Sequence, residues 1–149
     1  MWQEAVNPYI VVELLSPGTE KEDLGQALRD VEKPPGKWQV YEQILRVPYY
    51  AIFDRYESKF RIFKLNGGIF TEVELVDDRF WIPGLELGLG VWIGNYQGVE
   101  MPWLRWYDQE GNWILTSVEK ERQNTELEKR KTERLIAQLR SLGIEPNLE

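Results

Sequence analysis

Apolar and polar residues alternate with two different spacings along this chain, and the change of spacing marks out its elements. Ile10 to Leu15 is β-rich and bounded by Pro8 and by Ser16-Pro17-Gly18, which predicts a short strand. Residues 16–36 are polar, charged and rich in glycine and proline, the composition of a long mobile loop. From Lys37 to Leu45 the spacing becomes helical, with Trp38, Tyr41, Ile44 and Leu45 at spacings of three and four, until Arg46-Val47-Pro48 ends it. Tyr49 to Asp54 is apolar almost throughout and predicts a central strand. Lys59 to Leu65 and Ile69 to Val76 flank Asn66-Gly67-Gly68, a strong hairpin signal. Arg79 to Ile82 adds a strand before the Pro83-Gly84 turn, and Leu85, Leu87, Leu89 and Val91 recur at a period of two. Trp106-Tyr107 and Trp113-Ile114-Leu115 around Asp108 to Asn112 predict a second hairpin. Thr116-Ser117-Val118-Glu119 fits a capping box opening a helix that runs to a C-capping Gly143.

Composition narrows the chemistry. At 149 residues the chain is long enough for one real core, and 42% hydrophobic with 29% charged residues is ordinary for a globular protein. It holds no cysteine and no histidine, so thiolate chemistry, disulfides and imidazole catalysis are all excluded. Catalysis would have to run on carboxylates, lysine, tyrosine or a hard cation. No apolar run approaches the ~20 residues that cross a bilayer, and no signal segment opens the chain, so the expectation is a cytoplasmic protein without a membrane partner. The net charge of -7 falls wholly on residues 1–116, because acids and bases cancel from Ser117 onward. A global electrostatic footprint for nucleic acid is therefore missing, although a local patch is compatible with these numbers.

Three features invite a functional reading. Seven tryptophans could build a stacking platform for bases or sugars, but without interleaved basic residues a core and a subunit interface explain them better. The charged tail could be a nucleic-acid arm, yet it is neutral and carries helix-spaced pairs such as Glu126–Arg130; a solvated helix docking or pairing through Leu127, Leu135, Leu139 and Leu142 accounts for it. Glu13 is the third. It is the one charge in an otherwise apolar strand, with Tyr9, Val11 and Leu15 on its face and Ile10, Val12 and Leu14 on the other. A carboxylate there either sits at a sheet edge or is paired, protonated or presented to a cation.

The order PYIVVELLSPGTEKEDLG, KWQVY, VPYYAIFD, a hairpin and IPGLELGLG resembles the Uma2-type restriction endonuclease family, within the PD-(D/E)XK nuclease superfamily. The tail ERLIAQLRSLGIEP is similar to the tails of one branch of it. The resemblance implies an α/β (α+β) fold: a restriction-endonuclease-like mixed β-sheet with a flanking helix, β-hairpins and a C-terminal helix. It implies hydrolysis of DNA with Mg²⁺ or Mn²⁺ as cofactor. Glu13 matches the acidic residue of the (D/E)XK element and so the metal ligand. Leu15 stands where the superfamily often has lysine, and Lys37 is the matching cation from the following helix. Tyr41 matches a supporting tyrosine, and Asp23 matches an Asp-Leu-Gly with a structural or loop-capping role.

The match departs from the family at the front, where a second catalytic aspartate is expected upstream of the Glu13 strand. The expectation is thus a nuclease-like core over residues 1–116, N-terminally incomplete, and a charged helical tail over 117–149. Activity is expected to be weak or absent. The alternative is a non-catalytic interaction module with a degenerate nuclease fold, and in either case a homodimer or higher homo-oligomer is expected.

Overall fold

The computed structural model describes residues 6–15 and 36–145. The predicted loop over 16–36, except for Gly36, lies outside the described residues, and so does Asp23. The chain divides into two compact units, Met1–Asn112 and Trp113–Glu149.

The first unit is built on two sheets. β1 (Ile10–Leu14), β2 (Tyr49–Asp54), β3 (Lys59–Asn66) and β4 (Ile69–Val73) form a mixed sheet in that order. β1 runs parallel to β2, with Glu13 opposite Ile52, and the remaining pairs are antiparallel. β5 (Arg79–Ile82), β6 (Leu87–Tyr96) and β7 (Val99–Tyr107) form an antiparallel sheet. This α+β arrangement of a mixed sheet, a flanking helix, hairpins and a C-terminal helix is the one the sequence implies.

Alternation along β2 explains the layering. Tyr49, Ala51 and Phe53 point to one side, where Phe60, Ile62, Ile82 and Leu89 complete a core between the two sheets. Tyr50 and Ile52 point to the other, against Leu15, Phe63 and Phe70. That second face is covered by α1, a short helix whose Lys37–Gln39 turn is α-helical and whose Val40–Ile44 turn is π-helical. The widened turn is closed by Leu45 N–H donating to Val40 O at 2.8 Å. Trp38 anchors it, with ring centroids 4.8 Å from Phe63 and 5.3 Å from Phe70.

Two turns follow the expected chemistry. Gly67 and Gly68, at φ 59° and 88°, make the tight loop between β3 and β4 that the Asn-Gly-Gly signal predicts. A pairing that the sequence reading did not give is that of Trp106-Tyr107 with β6, through a register that sets Leu89 against Trp106. The β6–β7 reversal sits at Gln97-Gly98, with φ 52° and 83°, a turn written without the Asn-Gly or Asp-Gly signature. Residues 108–112 turn where the sequence predicts, Asp108 N–H donating to Asn112 O, and Gly111 N–H and Asn112 N–H donating to Asp108 O and Oδ1.

The second unit is dominated by α2 (Ser117–Ser141), none of whose residues is buried. Thr116 and Glu119 form the predicted reciprocal capping box, and Gly143, at φ 77°, follows the helix end. No helix among the described residues is long and apolar enough to cross a membrane.

Candidate active site

Period-two alternation turns Glu13 toward the face of the mixed sheet that α1 covers, together with Val11 and Leu15. β1 is an edge strand of that sheet among the described residues, so Glu13 stands at a sheet edge, on the face that α1 covers. On α1, Lys37 and Tyr41 are one turn apart and lean the same way. Tyr41 OH donates to Glu13 Oε1 at 2.9 Å, and Lys37 Nζ donates to Oε2 at 3.1 Å. Three residues singled out in the sequence, separated by up to 28 positions, thus meet in one hydrogen-bonded cluster. The Lys37 side chain is 45% exposed and that of Glu13 20%. An ion pair so open to solvent stabilises a fold by about 0–1 kcal/mol, so stability alone does not explain why these three converge.

What holds α1 in place is a residue the sequence reading passed over. Glu42 is the one buried charged side chain among the described residues. Its Oε2 accepts from Phe70 N–H at 2.8 Å and from Trp38 Nε1–H at 3.2 Å. These bonds tie the π-helical turn to β4 and fix the helix that carries Lys37 and Tyr41. Only its position one residue after Tyr41, on an otherwise apolar helix face, signals this.

Asp54 also stands on the Glu13 face, one row farther along the sheet, since β1 and β2 run in register. It is spent on a turn: Oδ1 accepts from Tyr56 N–H at 2.8 Å and Glu57 N–H at 3.1 Å. Arg61 shares the face from β3 and is held by Glu72 through bonds of 2.7 and 2.6 Å. That pairing, above all the hydrogen bond from Arg61, lowers the Glu72 carboxyl from its ordinary range.

The donor set tests whether a divalent cation could sit here. Mg²⁺ takes carboxylate oxygens and keeps several waters, usually with one or two carboxylates beside substrate phosphates. Glu13 offers one carboxylate, with an ammonium already against it, and no cluster of three acidic side chains forms among the described residues. The described residues therefore do not fit a resident metal ion by themselves.

The fold and cluster define an α+β protein with a strand carboxylate faced by a lysine and a tyrosine from one helix. The family described as "Putative restriction endonuclease" (Uma2) matches residues 1–95, and the chain belongs to that family. No curated protein and no solved structure matches it.

Proposed function

We propose that this chain is an endonuclease-like protein acting on DNA, with Glu13 and Lys37 as the residues that would carry phosphodiester hydrolysis. The observation that supports this most is the convergence of Lys37 and Tyr41 on the two oxygens of Glu13. In this reading the Lys37 ammonium, on the solvent side of the cluster, meets a non-bridging phosphoryl oxygen and stabilises charge that builds there. Tyr41 holds the Glu13 carboxylate in one orientation. A divalent ion, Mg²⁺ or Mn²⁺, would polarise the phosphoryl group and acidify a water if further ligands completed its site. With one carboxylate in the cluster, turnover in this reading is weak, and its absence belongs to a second one.

That same economy favours a second reading, a non-catalytic module that keeps the nuclease fold and assembles as a homodimer or higher homo-oligomer. A cytoplasmic setting belongs to both. Plasmid nicking in Mg²⁺ or Mn²⁺ separates them. The first reading expects slow, metal-dependent nicking that falls at least tenfold in Glu13→Ala and in Lys37→Ala. Equal cleavage by wild type and Glu13→Ala, or none by either, would sink the catalytic role and leave the second reading. Sedimentation showing a monomer at tens of micromolar protein would count against self-assembly.

A further inference from the structure

α2 is a 25-residue helix with no buried residue, so packing inside the chain does not account for its length. Helices in folded proteins owe most of their stability to an amphipathic face docked on something. Pairs along its own surface, Glu126–Arg130 and Glu128–Lys131, add little. A seam of period seven runs along this helix. Val118, Thr125, Thr132 and Leu139 fall seven apart on one row. Glu121, Glu128, Leu135 and Leu142 fall seven apart on the row beside it, three positions on, which is the a and d spacing of a coiled coil. Val118, Leu135 and Leu142 are 62%, 59% and 73% exposed. Leu127, two positions past Thr125, stands off the seam.

The two threonines suit the seam despite their hydroxyls. Thr125 Oγ1–H donates to Glu121 O and Thr132 Oγ1–H to Glu128 O, each at 2.9 Å. Neither hydroxyl therefore needs a partner across an interface. At the far end, Gly143 N–H donates to Arg140 O and Ile144 N–H to Leu139 O, which folds the backbone at Ile144 back onto the last turn. The seam thus has two unlike halves. The C-terminal half presents Leu135, Leu139 and Leu142, and the N-terminal half carries the carboxylates of Glu121 and Glu128.

Charge decides what covers it. Each seam carboxylate is followed by a cation, Glu121 by Arg122 and Glu128 by Lys129. In a parallel, in-register pair of helices, a side chain of the second row packs into a hole that includes the residue just after its counterpart on the facing helix. Glu121 then lies beside Arg122 of a second copy, and leucine meets leucine. Glu128 keeps Lys131 of its own helix, at 2.8 Å, and gains Lys129 of the second copy. An antiparallel pair aligned end to end would instead set Leu135, Leu139 and Leu142 against the half that carries the carboxylates, burying charge against apolar surface. We propose that α2 binds a second copy of itself as a parallel two-stranded coiled coil along this seam. The pairing gives the self-assembling reading its surface and rests on that reading.

The test is sedimentation of the full chain, diluted from tens of micromolar to read a dissociation constant. A dimer is expected, weakened at least tenfold by Leu139→Glu and tightened at least tenfold by Glu128→Leu, which adds an apolar layer to the seam. Glu128→Leu keeps the comparison open if Leu139→Glu does not fold, because it adds a contact instead of removing one. Leu127→Glu, a leucine exchanged in the same way off the seam, is expected to stay within twofold. The chain has no cysteine, so Glu121→Cys reports orientation. A parallel pair brings its two thiols within disulfide reach, and mild oxidation is expected to give a covalent dimer. A monomeric wild type overturns the pairing together with the self-assembling reading. A dimer that Leu139→Glu and Glu128→Leu leave unchanged overturns the pairing alone, since assembly then uses another surface. Equal weakening by Leu127→Glu overturns it as well. So does a dimer that responds to both seam variants yet fails to cross-link through Glu121→Cys, since the helices then do not run parallel.

Discussion

At the scale of single residues, two carboxylates with opposite solvent exposure behave differently. Glu42 is buried and accepts two N–H donors, so truncating it strands both inside the protein. Hydrogen bonds to a charged group contribute about 1.5–3 kcal/mol each, and an orphaned buried donor costs about 1–3 kcal/mol. Glu42→Ala is expected to lose about 2–4 kcal/mol in urea unfolding, and Glu42→Gln, which keeps an acceptor oxygen, about 1 kcal/mol. Glu72 is half exposed and paired with Arg61, whose hydrogen bond lowers its pKa from the ordinary 4.5. A carboxyl depressed in the folded state contributes stability above its unfolded value and loses it as pH falls through the folded one. Glu72→Gln should therefore lower the urea midpoint modestly at pH 7, by about 1 kcal/mol or less. The gap between variant and wild type should close on acidification below 4.5. A gap that persists unchanged into acid would remove the ion pair as its cause. Glu13 was legible in the sequence because a lone charge interrupts an apolar run. Glu42 was not, because its partners are an indole and a backbone N–H that only folding brings near.

Elements were legible wherever local chemistry decides them. The Gly67-Gly68 loop, the central β2 and the Thr116–Glu119 box all follow from residues within one turn of each other. β7 did not, since its turn uses Gln97 in a left-handed conformation and its strand holds Pro102, a residue that argues against strand. Its place is set by packing, with Leu104 and Trp106 in the core and rings across the glycines of β6. The glycines supply the measurable consequence. Gly88→Ala puts a methyl against the Tyr107 ring, which β7 cannot move without losing its register. Overpacking of this kind costs about 1–3 kcal/mol, read as a shift in thermal or urea unfolding. A variant as stable as wild type would mean that the Tyr107 ring has another place to go.

At the scale of the whole molecule, the family match and the folding unit have different ends. The match stops at residue 95, inside β6, while the first compact unit continues to Asn112. Cutting at 95 would remove β7 and with it Leu104 and Trp106 from the core between the sheets. Residues 1–112 are expected to give a cooperative thermal transition by circular dichroism, and residues 1–95 none. A cooperative transition in the shorter piece would show that the mixed sheet stands without its cover.

The parallel pairing of β1 with β2 carries a kinetic consequence. β2, β3 and β4 follow one another through short turns, so they can close early and locally. Ile10 must find Tyr49 across a long intervening chain, a closure that costs entropy before any contact repays it. Glu13 therefore reaches Lys37 and Tyr41 late, after the aromatic core beneath them has formed. The hydrogen-exchange order would follow, with β1 amides opening before those of β2. The cluster that marks the family would come and go on a sheet that stays folded, giving this protein a state with its core intact and its carboxylate withdrawn.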